Sequence, residues 1–251
     1  MEKITSKFYD IEMVDRLVTI TIKQDVFELL TNREYSDLLM ERLNEYQSNP
    51  EIKALLFLNN LECLNEKVYD KFLIKNVGSE IKDNDFETPN FCDRKLRLKE
   101  INTLIRFVRY IANYKKLCFS VLSGNVVTPF IGAFLATDIR YATSDMSFSF
   151  AHNKYGLHPS GGLPYFLINQ LGYNKAIELM LQKGISAEQA LDLELINKVF
   201  PNENTLELVI KDIEKLIQYS SCSLRRTKEL SSFTRNSLSN YFNKETILLG
   251  Y

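Results

Sequence analysis

The sequence predicts an α/β fold on three observations. Short apolar segments typical of buried strands alternate along the chain with longer segments of helical periodicity. The chain has 251 residues, 45% of them hydrophobic, so it can bury one sizeable core. Its formal net charge of −1 provides no basic field to attract nucleic acid or an anionic membrane. We therefore expect a globular α/β unit that binds neither nucleic acid nor membrane.

The first 60 residues predict a β-hairpin, a helix and a buried strand. The segment FYDIEMVDRLVTITIKQ predicts two strands joined by a polar turn at Asp15 and Arg16. The segment TNREYSDLLMERLNEYQSNP predicts a helix that opens with a capping box at Thr31 and Glu34 and ends before Pro50. The apolar stripe of this helix comprises Leu38, Leu39 and Leu43. The apolar run IKALLFLNN then predicts a strand.

Residues 61–100 interrupt the alternation, because they are charged and show little periodicity. We expect a mobile loop there, and a lid over a site between about Val77 and Lys99. Beyond it, INTLIRFVRYIANY predicts an amphipathic helix and KLCFSVLSG a buried strand. PFIGAFLATD predicts the start of a helix, and IRYATSD predicts another strand. Ser186 and Gln189 have the spacing of a capping box, and the last third of the chain is helical.

The cysteines and the first residues bear on metal binding and location. Cys63, Cys92, Cys118 and Cys222 are far apart and form no CxxC pair, so we expect no metal site and four structural, buried thiols.

The opening MEKITSKFYDIEMVD lacks the features of a signal peptide. No apolar run reaches the roughly 18 residues that span a bilayer. A cytoplasmic location is the resulting expectation.

Two segments resemble the enoyl-CoA hydratase/isomerase, or crotonase, superfamily. They read LCFSVLSGNVVTPFIGAFLATDIRYATSDMSFSF and KYGLHPSGGLPYFLINQLGYNKAIELMLQKGISAEQALDLELINKVFP. The resemblance is strong from about Leu117 to Pro201, looser over the first 60 residues and weak between them. It implies a core spiral of repeated ββα units over residues 1–200. It also implies a helical oligomerisation segment over residues 201–251, shorter than in typical members.

The resemblance further implies a ligand and partners. The ligand would be an acyl thioester of coenzyme A or of an acyl carrier protein, and this carrier would be the only cofactor-like group. Members form homotrimers or hexamers. In such enzymes two backbone N–H groups form an oxyanion hole that stabilises an enolate-like transition state, each donor contributing about 3 to 4 kcal/mol.

The residues at the implied oxyanion hole depart from the family. Members usually have three glycines where this chain has Thr128, Pro129 and Phe130. The middle glycine normally donates, but proline has no N–H. A one-residue shift in register would make Phe130 or Ile131 the donor, but the fixed spacing to Asp138 argues against it. The first donor position falls near Val68 by position alone.

The implied acid/base positions also lack their carboxylates. The two glutamates of a hydratase correspond to Gly132 and His152, and the carboxylate of some isomerases corresponds to Ser160. Water addition by paired glutamates is therefore not expected. His152 is the candidate proton carrier, since an ordinary imidazole titrates near pH 6.5. The alternative is that His152 fills space; His158 is a weaker candidate for the same role.

Other implied contacts have plain structural alternatives. Phe148, Phe150, Tyr155 and Tyr165 are the expected pocket aromatics. Lys228 matches a helix that approaches the nucleotide of coenzyme A, although a solvated surface lysine fits equally well. Glu194 stands where members often have a glycine of positive φ.

Three functions remain open from the sequence. The first is a lyase, isomerase or decarboxylase that uses His152, with Gly132, Phe150, Tyr155 and Lys228 contacting the substrate. The second is a catalytically degenerate homologue that binds an acyl thioester or a partner enzyme. The third is an oligomeric scaffold without a ligand. The missing carboxylates and Pro129 favour the last two, whereas the PSGG turn and the clustered histidines favour the first. We predict the first, because members of the family that the sequence resembles are enzymes far more often than not.

Overall fold

The computed structural model describes residues 3–77 and 94–249 of the chain. Its centre is a seven-stranded sheet with the order β1-β2-β3-β4-β5-β7-β10. The strands of this sheet are β1 (Lys3–Thr5), β2 (Tyr9–Val14), β3 (Leu17–Ile22), β4 (Ala54–Asn59), β5 (Leu117–Leu122), β7 (Ile139–Thr143) and β10 (Lys198–Phe200). A second sheet has the order β6 (Asn125–Val127), β8 (Ser147–Ser149) and β9 (Gly184–Ser186). The α/β class is confirmed.

Helices cover both faces of the central sheet. They are α1 (Val26–Thr31), α2 (Arg33–Ser48), α3 (Glu66–Val77), α4 (Arg94–Ala112), α5 (Phe130–Leu135), α6 (Leu163–Leu171), α7 (Tyr173–Met180), α8 (Ala187–Asp192), α9 (Thr205–Leu216), α10 (Ser221–Ser232) and α11 (Leu238–Leu249), with a 3-10 turn at Phe233–Arg235. Val209 and Ile213 of α9 pack on one face against Leu56 and Phe119. The larger core lies on the other face and includes residues of α1, α2, α4, α5 and α11.

The N-terminal hairpin and the parallel strands agree with the sequence. β2 and β3 pair antiparallel around Asp15, whose φ is 52°. The pairs β3–β4, β4–β5 and β5–β7 are parallel. Parallel strands covered on both faces have near-continuous apolar sequences, which is why these segments were recognisable.

The start of α2 differs from the prediction. Asn32, not Thr31, is the N-cap: its Oδ1 accepts the N–H of Glu34 at 3.0 Å. Thr31 ends α1, and its hydroxyl donates to the carbonyl of Phe27 at 2.7 Å. Asparagine caps as well as threonine does, so the predicted capping box was one residue out of register. Leu38 is also 50% exposed and does not belong to the buried stripe.

The loop expected over residues 61–100 is wrong at both ends. Residues 66–77 form α3, and α4 begins at Arg94. Tyr69, Phe72 and Leu73 of α3 are buried, so this charged segment is an amphipathic helix. The remainder of the proposed lid, residues 78–93, lies outside the described residues.

Three smaller expectations have mixed outcomes. The capping box of Ser186 and Gln189 is present, with both hydrogen bonds formed. Glu194 adopts a φ of 56°, the left-handed region expected there. Cys63 and Cys118 are buried, but Cys222 is exposed on α10, which contradicts the expectation of a buried thiol. Cys92 lies outside the described residues.

The C-terminal helix belongs to the main core of its own chain. Leu238 and Phe242 of α11 are 3% and 0% exposed. The division into a core over residues 1–200 and an oligomerisation segment over residues 201–251 stays a prediction. Over residues 3–77 and 94–249, no helix is long and apolar enough to cross a membrane.

Candidate active site

The segment Thr128–Phe130 joins β6 to α5. Thr128 is held to the second sheet, because its backbone N–H and its hydroxyl both donate to the carbonyl of Ser149, at 3.0 and 3.1 Å. Pro129 is the N-cap of α5 and carries no N–H. Phe130 is the first residue of that helix, so its N–H is one of the first-turn groups that have no acceptor within the helix. Within the segment Thr128–Phe130, therefore, only Phe130 can supply a donor to the oxyanion hole.

Val68 cannot act as the other predicted donor in this arrangement. Its backbone N–H donates to Oδ1 of Asn65 at 3.0 Å. Asn65 precedes α3, and an asparagine at this place satisfies one of the N–H groups at the helix start. The assignment of Val68 to the oxyanion hole is therefore corrected: the group that would polarise a thioester carbonyl is already bonded.

His152 is buried, with 4% of its surface exposed. Its Nδ1 lies 3.2 Å from the hydroxyl of Thr128. Burial lowers the pKa of the imidazole from 6.5 to about 4, and a hydrogen bond with the carbonyl of Met180 offsets only part of this effect. The expectation of an ordinary pKa near 6.5 is therefore wrong. The imidazole is neutral at pH 7 and is a weak base.

Gly132 and the paired glycines Gly161 and Gly162 form a tight backbone contact. A Cβ placed on Gly132 would lie 2.0 Å from the carbonyl oxygen of Gly161, so no larger residue fits there. The assignment of Gly132 as a substrate contact is corrected to a packing role. Ser160, beside this contact, is 2% exposed and does not face solvent.

The carboxylate of Glu245 on α11 completes this region. It accepts the N–H of Gly161 at 2.8 Å and that of Gly162 at 3.0 Å. Burial raises its pKa, and its hydrogen bonds, the first of them with Tyr241, oppose that rise. The sequence analysis did not find Glu245. Gly161 and Gly162 both have positive φ, as the PSGG pattern indicates, but nothing in the pattern identifies the distant carboxylate.

Two further carboxylates were missed on α3. Glu66 is hydrogen-bonded to the hydroxyl of Ser149, and Asp70 to the hydroxyl of Tyr155. The ammonium of Lys154 lies 3.8 Å from each carboxylate. Glu66 and Asp70 are four residues apart, so a helix predicted over residues 66–77 places both carboxylates on one face. Glu66 is connected to the Thr128–His152 pair through Ser149, whose carbonyl accepts from the hydroxyl of Thr128.

The other predicted substrate contacts are buried side chains. Phe150 is 2% exposed and its ring packs against His152. Tyr155 is 3% exposed, and its ring meets Tyr69 edge-on. Lys228 lies inside the protein, paired with Asp138 at 2.7 Å, and its ammonium also donates to the carbonyl of Lys116 at 2.8 Å. The expected contact between Lys228 and a nucleotide is therefore corrected to a structural ion pair.

An aromatic cluster surrounds the start of α5. The ring of Phe27 stacks on Phe72 with centroids 4.3 Å apart and lies 5.5 Å from Tyr69. It also lies 5.2 Å from Phe130. Glycine would leave the backbone N–H at this position open to close approach, whereas Phe130 places a large ring directly beside it.

A cleft of about 600 Å³ opens beside this cluster. Its lining combines Phe27, Val68 and Phe72 with the lysines Lys23, Lys71 and Lys75 and the acids Asp25, Glu28 and Glu62. Asp25 and Glu28 pair with Lys7, at 3.3 and 2.6 Å. Lys71 and Lys75 are exposed on α3. The volume is within the usual range for small-molecule sites. Within the described part of the chain, no group of histidine, cysteine and acidic side chains could hold a metal ion.

Comparison with known proteins places this geometry in a family. Residues 100–250 match the sequence model of the enoyl-CoA hydratase/isomerase family. The chain belongs to the enoyl-CoA hydratase/isomerase family. The match covers more than half of the chain and includes α5, the paired glycines and α11. The resemblance noted in the sequence is thereby confirmed.

Individual relatives are distant. The chain is 28% identical to 2,3-dehydroadipyl-CoA hydratase of Escherichia coli (strain K12) over 96 residues, 38% of each chain. It is 35% identical to enoyl-CoA hydratase EchA19 of Mycobacterium tuberculosis (strain ATCC 25618 / H37Rv) over 71 residues, 28% of this chain and 27% of that one. The matched stretches thus span well under two thirds of these curated relatives.

The fold of this family member extends over nearly the whole chain. The crystal structure of enoyl-CoA hydratase from Bacillus halodurans superposes with a TM-score of 0.75. The alignment covers 97% of this chain and 92% of that one at 19% identity. At this identity the likeness concerns the fold.

Proposed function

We propose that this protein is a catalytically degenerate family member that binds an acyl thioester, of coenzyme A or of an acyl carrier protein, without hydrating it. The observation that carries the proposal is the state of the two predicted donors. Val68 has its N–H bonded to Asn65, and Pro129 has none. An enolate-like oxyanion would find at most the N–H of Phe130, so the usual electrostatic stabilisation is lost.

The acid/base groups support the same conclusion. Gly132 packs against Gly161, Ser160 is a buried hydroxyl that is not a carboxylate, and His152 is neutral and buried. A general base is most effective when its pKa lies near the working pH, and a pKa of about 4 is far below neutrality. Hydration by these aligned positions therefore has neither a competent acid nor a competent base.

The cleft beside α3 supports ligand binding. Its apolar wall of Phe27 and Phe72 suits a thioester arm, and the exposed ammonium groups of Lys71 and Lys75 suit its phosphates. The relatives from E. coli and M. tuberculosis are named for coenzyme A thioesters. Phosphopantetheine is common to coenzyme A and acyl carrier proteins, so either carrier presents the chemistry that this cleft recognises.

The test combines calorimetry with a turnover assay. We expect coenzyme A and acetyl-CoA to bind, and crotonyl-CoA to keep its enoyl absorbance when mixed with the protein. The double variant Lys71→Glu/Lys75→Glu should raise the dissociation constant about tenfold, since each exposed charge contributes up to about 1 kcal/mol. Lys175→Glu, at an exposed position of α7 outside the cleft, is the control and should bind as the unmodified protein does. Rapid hydration of crotonyl-CoA would overturn the proposal, and no binding would favour a scaffold.

A second candidate is an active acyl-thioester enzyme, and Glu66 and Asp70 favour it. Both carboxylates are partly exposed. Glu66 is connected to the Thr128–His152 pair through Ser149, and Asp70 binds the hydroxyl of Tyr155. They could exchange protons with a bound ligand even though the aligned positions cannot. An isomerase or decarboxylase activity that disappears in Glu66→Gln and persists in Glu62→Gln would establish this candidate.

A homotrimer or hexamer is the oligomeric state that we propose with this function. Leu181, Leu230 and Phe233 are 73 to 79% exposed, and large exposed apolar side chains are typical of interaction surfaces. Sedimentation velocity would test this state, with Leu230→Lys/Phe233→Lys expected to shift it toward monomer. A cytoplasmic location stays a prediction that cell fractionation would test.

A further inference from the structure

A second cavity lies between the central sheet and the helices α1, α2, α4 and α5. Its volume is about 120 Å³. Apolar side chains dominate its lining, among them Leu29, Leu39, Phe57, Leu104, Phe107 and Ala133. It shares no lining residue with the lysine-bearing cleft. The rings of Phe27, on the cleft side, and Phe130, on the cavity side, stand between the two.

Two residues show that this volume is open space within the fold. Phe57 lies on β4, which pairs with β3 and β5 on its two sides, yet the side chain is only partly buried. Ala133 lies in the middle of α5, between buried neighbours, and is also only partly buried. Both border the cavity. Protein interiors are normally packed without voids larger than a water molecule, so a cavity of this size is distinctive.

Five polar side chains of the cavity lining are bonded to protein partners: Ser36, Asn59, Arg106, Ser120 and Thr137. The hydroxyls of Ser120 and Thr137 bond to each other at 2.6 Å. The guanidinium of Arg106 pairs with Asp37 at 2.5 Å and donates to the hydroxyl of Ser36 at 3.0 Å. A carboxylate ligand would have to compete with Asp37 for this cation. The cavity thus suits an uncharged apolar ligand better than an anion or ordered water.

We propose that this cavity is a binding site for a small uncharged hydrocarbon group, a single ring or a chain of about six carbons. An engineered apolar cavity of about 150 Å³ in another protein stays dry and binds benzene or xenon, so a volume near 120 Å³ is of the right order. The proposal does not depend on acyl-thioester binding, because the cavity and the cleft have separate linings.

The test uses benzene and xenon as probes of the full chain. Benzene at about five times its dissociation constant should raise the melting temperature by about 2 to 4 °C. Xenon should perturb the NMR signals of methyl groups at Leu29, Leu39 and Leu104 and leave those of Leu206 and Leu248 unchanged. The absence of both effects in the unmodified protein would overturn the proposal.

Two variants locate the binding. Ala133→Leu adds apolar volume to the cavity and should abolish the benzene-induced shift in melting temperature. Leu38→Phe adds apolar volume on an exposed part of α2 and should keep the shift. If Ala133→Leu is too unstable to study, Met40→Phe fills the same cavity from α2. A shift that persists in a folded cavity-filling variant would show that benzene binds elsewhere and would overturn the proposal.

Discussion

The Nζ atom of Lys228 lies 2.7 Å from Oδ2 of Asp138, and the two side chains are 6% and 17% exposed. Oδ2 of Asp138 also accepts the N–H of Cys118 at 2.8 Å, so the pair fixes α10 to β5. A lysine in this position is a structural cation rather than a surface ligand for nucleotides.

Lys228→Met should destabilise the protein by about 3 kcal/mol, because it leaves the Asp138 charge without its buried partner. Arg226→Met, an exposed position on the same helix, should change stability by less than about 0.5 kcal/mol. Urea unfolding measures both. Affinity for coenzyme A, measured well below the melting temperature, should be the same in both variants. A selective loss of coenzyme A binding in Lys228→Met would restore its role as a ligand contact.

Gly132→Ala should destabilise the fold by roughly 3 kcal/mol, because its Cβ would meet the carbonyl oxygen of Gly161 and the backbone would have to move. Gly172→Ala provides the contrast. That glycine has open space around it, but its φ of 77° and ψ of 165° lie in a region that is almost exclusive to glycine, so backbone strain alone should cost about 2 kcal/mol. Thermal unfolding measures the loss of stability in each variant. Equal losses would contradict the prediction, because they would show that the backbone at Gly161 moves readily to accept the added Cβ.

The stability of the protein should depend on pH through His152. The folded-state pKa of about 4 lies below the ordinary 6.5, so the contribution is present above pH 6.5 and is lost as the pH falls toward 4. This contribution is about 3 kcal/mol. Urea unfolding at about pH 7.5 and about pH 4.5 should show a smaller pH effect in His152→Gln than in the unmodified protein. Other titrating groups are common to both proteins, and identical pH profiles would contradict the prediction.

Pro129→Gly should raise crotonyl-CoA hydration by less than about tenfold, although a single donor in a competent hole contributes about 100- to 1000-fold. The variant restores one N–H but leaves Val68 bonded to Asn65 and supplies no acid or base. Pro201→Gly, at an exposed position, controls for the general effect of replacing a proline by glycine, which makes the unfolded chain more flexible. A gain above 100-fold would mean that the missing N–H is the main defect.

The strands and the region of the site could be predicted because their signals are local. β3, β4 and β5 are apolar runs, and Thr128–Phe130 lies next to recognisable segments on both sides. α3 was missed because its charged residues hid a buried stripe, although Tyr69, Phe72, Leu73 and Asn76 have helical spacing. The amphipathic pattern is present in the sequence, but the charged composition of residues 61–100 masks it.

The chemistry of the site was harder to predict because it depends on contacts between distant segments. The state of Val68 depends on where α3 begins, and the neutral imidazole of His152 depends on burial. The burial of Lys228 requires α10 to pack over Asp138. None of these facts is a property of the residue type or of its neighbours in sequence.

The link between Glu245 and the paired glycines also sets an order of events during synthesis. Gly162 is made 83 residues before the carboxylate that binds its N–H. At about 5 to 20 residues per second, roughly 4 to 17 s pass before that partner has been added to the growing chain. During this interval the turn must keep its N–H groups hydrated, and the start of α6 lacks its final support. This part of the core therefore cannot be completed before α11 has been synthesised.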